Sequence, residues 1–88
     1  MGAEELWSEG DLDAAKGLYE DLLRSNWMDN IGARYNLLAI YDGMSLEQFN
    51  KRFVKDGYMD DKVSKWFSKG FKKHPLLVEW DKQVQQFM

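Results

Sequence analysis

His74 is the only histidine of the chain, and together with Glu79 and Asp81 it offers the single imaginable metal or acid–base set. One imidazole with two carboxylates on a separate helix is a poor metal signature beside the Cys- and His-rich sets of three or four ligands that zinc sites gather. His74 also stands directly before Pro75, at a helix end where an imidazole meets the negative end of the helix dipole. A structural role accounts for it. Asp60 and Asp61 suggest a cation, but Tyr58-Met59-Asp60-Asp61-Lys62-Val63 lacks the alternating acids, Gly and distant Glu of a calcium loop. Capping the next helix explains both acids. There is no Cys, and the glycines form neither a dinucleotide nor a P-loop pattern. The expectation is a protein that is not an enzyme, with no catalytic residue, cofactor or metal.

The remaining chemistry is charge. Lys62, Lys65, Lys69, Lys72 and Lys73 recur at steps that put them on one side of a helix, away from Trp66 and Phe67, and Lys51, Arg52 and Lys55 precede them. Such a face could hold phosphates or another anion. It is also what a solvated helix surface looks like, and the overall charge of −3 speaks against nucleic acid as the partner. Residues 1–43 hold nine acids against three bases, whereas 44–88 hold six against nine, so the two halves differ in sign.

These groups need elements to position them. Hydrophobic residues make up 44% of the 88, and thirteen aromatics supply large apolar area, enough for one small domain with an efficient core. The longest aliphatic runs, such as Leu76-Leu77-Val78, are far below the roughly 20 residues of a membrane span. Met1-Gly2-Ala3-Glu4-Glu5 has no basic or apolar run of a signal peptide, so the expected setting is cytoplasmic with no membrane.

The hydrophobic spacing predicts six helices. The first carries Leu6 and Trp7 and stops at Gly10. Asp11 caps the second, whose stripe is Leu12, Ala15, Leu18, Tyr19, Leu22 and Leu23, with Glu20 and Arg24 spaced for an ion pair. Ser25 to Asn30 is a polar turn in which Trp27 plugs a gap between hairpins. Asp29 or Asn30 caps the third helix, with Ile31, Tyr35, Leu38 and Tyr41 on its stripe and Leu37 and Ile40 beside it. Ser45 and Gln48 form a capping box for the fourth, which carries Leu46, Phe49, Phe53 and Val54 and ends at Gly57. Asp60 caps the fifth, built on Val63, Trp66, Phe67, Gly70 and Phe71. Pro75 opens the sixth, built on Leu77, Trp80, Val84 and Phe87. No segment alternates long enough to predict a strand.

The stretch from Gly10 to Tyr41 resembles the tetratricopeptide repeat family, whose 34-residue helix hairpins place small and large apolar residues at set positions. Gly10-Asp11-Leu12 is similar to the family's inter-helix turn, Ala15 to its small crossing residue and Tyr19 to its aromatic position. Asn26-Trp27 stands where the family has a short polar residue and Pro, and Tyr35 to Tyr41 resembles the next repeat's first helix. A 34-residue shift pairs Asp11 with Ser45, Leu12 with Leu46, Ala15 with Phe49 and Tyr19 with Phe53. Leu38 and Phe49 depart from the family's small residues, and the pattern fades after Gly57.

The resemblance implies an all-α fold of about six antiparallel helices, stacked as hairpins in a right-handed superhelical fragment. Residues 1–57 would be repeat-like hairpins and 58–88 a diverged C-terminal helix pair. It further implies a protein-interaction module that binds a peptide or partner protein through Tyr35, Asn36, Ala39 and Asp42. The family's clamp for a peptide carboxylate is missing, since Arg34 has no matching Lys or second Asn. The alternatives are anion or nucleic-acid binding on the lysine face of the fifth helix, and a structural fragment of a larger repeat protein, because Met1 would enter partway through a repeat's first helix.

Overall fold

In a computed structural model, which describes residues 2–29 and 32–86, the chain folds into six α-helices with one small β-hairpin among the described residues. The helices are α1 (Ala3–Ser8), α2 (Leu12–Ser25), α3 (Ala33–Tyr41), α4 (Leu46–Phe53), α5 (Lys62–Gly70) and α6 (Pro75–Gln85). The strands β1 (Val54–Lys55) and β2 (Tyr58–Met59) separate α4 from α5, and a 3-10 turn over Phe71–Lys73 leads into α6. The all-α expectation holds, with that hairpin as its exception.

The helix boundaries follow from local chemistry. Gly10, at φ +88°, lets the chain reverse after α1, and the Asp11 carboxylate then accepts a hydrogen bond from the Ala14 amide at 3.3 Å. At α4 the capping box is complete: Ser45 Oγ accepts from the Gln48 amide at 3.1 Å, and Gln48 Oε1 accepts from the Ser45 amide at 2.9 Å. Asp60 Oδ1 accepts from the Lys62 amide at 3.0 Å at the start of α5. Pro75 occupies the first turn of α6, after an extended His74.

The α3 cap is more elaborate. Asp29 is buried, with φ +53°, and its carboxylate accepts from the amides of Ala33 at 2.7 Å and Arg34 at 3.0 Å, and from Arg34 Nη1 at 2.8 Å. Asn30 and Ile31, the other expected cap and the first residue of the stripe, lie outside the described residues, as does Phe87.

Two expectations need correction. The fourth helix ends at Phe53 and not at Gly57. Val54 is already extended, and Asp56 (φ +54°) and Gly57 (φ +82°) form a tight reversal that pairs Val54 with Met59 and Lys55 with Tyr58. Two consecutive left-handed residues are what a two-residue hairpin loop requires, and Asp-Gly supplies them. Secondly, Glu20 does not pair with Arg24. It accepts a 2.7 Å hydrogen bond from the Tyr41 hydroxyl across the α2–α3 contact, while Arg24 lies 3.7 Å from Asp21.

Helix α3 is the centre. Leu37, Leu38, Ala39 and Ile40 are all buried, so this helix is covered around most of its girth. It packs on α2 and α5; α2 also meets α1 and α6, and α1 meets α4. At the α3–α5 crossing Gly70 lets the backbones approach, because a Cβ there would come within 3.1 Å of Leu38 Cδ2. The remaining space is filled by aromatic contacts. Trp7 meets Phe49 at 5.4 Å, Phe49 meets Phe53 at 5.2 Å, and Phe53 meets Trp66 at 4.6 Å, a chain of rings from α1 through α4 to α5. The Trp7 indole also donates to the Met44 carbonyl at 2.9 Å, which ties α1 to the loop before α4. Trp27 is partly buried and packs against this core. The radius of gyration is 12.5 Å, close to the ~12 Å of a compact chain of this length.

Candidate functional site

The residues expected to line a groove do not share one open surface. Ala39 is 0% exposed. Tyr35 is partly buried and meets Phe67 edge-to-face at 5.4 Å. Asn36 is partly buried, beside the Tyr19 hydroxyl. Only Asp42 is exposed, where it helps to line a shallow depression of about 400 Å³ with Gly43, Met44, Gln48 and Arg52. Helix α5 lies against the face of α3 that the groove reading left open.

Arg34 is fully engaged at the same end of α3. Besides Asp29, it donates to the Tyr35 hydroxyl at 2.9 Å, and its guanidinium lies 4.2 Å from the Tyr35 ring centroid and 5.0 Å from that of Trp80. This cation therefore serves the fold and is not presented to a peptide carboxylate.

His74, Glu79 and Asp81 are likewise separated by their partners. His74 stacks on Tyr41 at 4.5 Å between centroids. Glu79 accepts from Gln83 Nε2 at 2.9 Å and Asp81 from Gln85 Nε2 at 3.0 Å, both within α6. Among the described residues no three His, Cys, Asp or Glu side chains gather as a metal would need. Tyr41 itself is perturbed. Burial, then the hydrogen bond to Glu20 and the charge of that carboxylate, push its phenol far above the ordinary tyrosine range. Burial also raises Tyr19.

The lysine face is the feature the structure sharpens. Lys62, Lys65, Lys69, Lys72 and Lys73 are all exposed. Three of them, Lys62, Lys65 and Lys69, meet Arg52 of α4 around a cavity of about 290 Å³ whose floor is Phe53 and Trp66. Trp66 is only partly buried, although its place on the apolar stripe of α5 marked it for the core. It lines the cavity beside Phe53, the last residue of α4. Trp66 and Arg52 are the candidate residues that sequence reasoning missed as a pair. The sequence signal was the Asp56-Gly57 reversal, which ends α4 at Phe53, beside the cavity.

A second surface was also assigned to the core. Leu18 is 38% and Leu22 44% exposed, one turn apart on α2, while Ala15, Tyr19 and Leu23 of the same stripe are buried. The apolar stripe of α2 is wider than the molecule covers. No helix of the described residues is long and apolar enough to cross a membrane. No protein-family model matches the chain, and no curated protein or solved structure matches it.

Proposed function

We propose that the chain is a protein-interaction module, built from helix hairpins that resemble tetratricopeptide repeats, which holds a peptide or partner protein on its helical surface and carries out no catalysis. The observation that carries this reading is the exposed pair Leu18 and Leu22. Stacked hairpins bury each other's flanking apolar rows, and an end or isolated unit leaves one row for a partner. The sequential packing of α1 on α2 and α2 on α3 is of the kind such stacks use, and the contacts of α6 with α2 and α4 with α1 fold the unit back on itself. The expected cytoplasmic setting belongs to the same proposal. A second reading, an anion-binding face, is favoured by the cations around Trp66.

The test is a purified binary complex. A partner recovered with the tagged chain should bind it saturably in calorimetry. Leu18→Ser with Leu22→Ser should weaken that complex about tenfold while changing the chain's own stability by only about 0.5 kcal/mol, as exposed substitutions do. A measurable turnover by the isolated chain, with no complex formed, would contradict the reading.

A further inference from the structure

The α4–α5 surface combines an aromatic floor with four cations, of which Arg52, Lys65 and Lys69 have no ion-pair partner among the described residues. Lys62 Nζ lies 4.0 Å from Asp60 Oδ2, and this is the only carboxylate within ion-pair distance of the four cavity cations among the described residues. The Arg52 guanidinium lies 5.0 Å from the Phe53 ring centroid, which places its charge at the rim of the cavity. The floor is rigid: Phe53 is almost fully buried, and Trp66 leans on it at 4.6 Å, backed by the chain of rings to Trp7. A ring held this way loses little entropy when something stacks on it. A second depression of about 340 Å³, bounded by Ser64, Lys65, Ser68 and Lys69, adjoins the first, so Lys65 and Lys69 form a ridge with a hollow on each side.

We infer that this surface binds an acidic peptide segment, with an aromatic or long aliphatic side chain seated on Trp66 and flanking carboxylates on Arg52, Lys62, Lys65 and Lys69. The inference rests on the interaction-module reading for the class of ligand, and adds the partner's chemistry and a second docking surface. Charge complementarity identifies the occupant. Like cations held close on one helix repel one another, and an incoming carboxylate relieves that repulsion. Trp and Arg are also the side chains that most often anchor protein interfaces.

A long polyanion fits less well. From Lys62 to Lys69 the helix rises only about 10 Å. Glu47, Asp56 and Asp61 lie exposed on the neighbouring segments, and the α1–α2 half carries Glu4, Glu5, Glu9, Asp11 and Asp13 at its surface. A nucleic-acid strand running past the cavity would meet more of these acids than a short peptide confined to it.

The probe is a fluorescein-labelled peptide in which a central Phe is flanked by Asp and Glu, titrated with the full chain by anisotropy at low and high salt. Binding should weaken as salt rises. Lys65→Glu with Lys69→Glu should lower affinity about tenfold or more. Both side chains are exposed, so a circular dichroism spectrum unchanged from the parent is expected. Replacing the peptide's Phe with Ala should also weaken binding, and this control leaves the protein untouched. Three results would overturn the inference: equal affinity for the parent and the double variant, binding of oligothymidylate in place of the peptide, or salt-sensitive self-association without peptide binding. A protein partner whose complex ignores Lys65 and Lys69 but is lost with Leu18 and Leu22 would remove this inference and leave the module reading intact.

Discussion

Asp29 holds more of the structure than any other polar residue, because one enclosed carboxylate answers two amides and a guanidinium at the start of α3. Asp29→Ala should cost about 3 kcal/mol in chemical denaturation, since it strips three donors of their acceptor and leaves a residue with a Cβ at positive φ. Asp29→Asn should lose less than half as much, because Asn tolerates that backbone and retains one acceptor oxygen. Tyr41 gives a pH signature. Its folded pKa is raised above the unfolded value of 10.0, so the stability tied to its proton is complete below pH 10 and is lost as pH climbs toward the folded value. Stability should therefore be level through neutrality and fall progressively above about pH 10, and Tyr41→Phe should flatten that fall in denaturant midpoints measured across the range. Some slope remains from Tyr19. Single residues whose partners lie close in sequence, such as Asp11 and Ser45, were legible as caps, whereas the N-cap of α5 is Asp61 and not the expected Asp60. Glu20 was not, because its partner Tyr41 lies on the next helix and no helical spacing reveals it.

At the scale of elements, six helices could be read from spacing and caps, and the errors fall where an element is short or a stripe is wide. Two-residue strands are too brief to show alternation, so only the Asp-Gly pair announced the hairpin. The α2 stripe told which residues are apolar but not how much of it a neighbour would cover. Gly70 was placed correctly on the α5 stripe, and its reason is now visible in Leu38. Gly70→Leu should destabilise the fold by about 2 kcal/mol through overpacking, and Leu38→Ala in the same chain should recover part of that loss. Strict additivity of the two changes in equilibrium unfolding would show that the crossing is looser than described.

For the whole molecule, the division of charge along the sequence becomes a division of surface, with acids on α1 and α2 and exposed cations on α4 and α5. That the lysines share a face was legible from their spacing. That three of them share a cavity with a partly buried tryptophan was not, because it depends on Arg52 reaching the same cavity from another helix. The groove expected on α3 failed to appear as one surface because α5 covers that helix and Ala39 is fully enclosed. The central claim is that this chain holds an acidic partner segment on its α4–α5 surface, and amide and indole NMR of the full chain during titration with the acidic peptide tests it most directly. The account predicts that the Trp66 indole and the amides from Lys62 to Lys69 shift together, while the indole of Trp7, locked to Met44, stays in place. Shifts confined to α3, or none at saturating peptide, would contradict it.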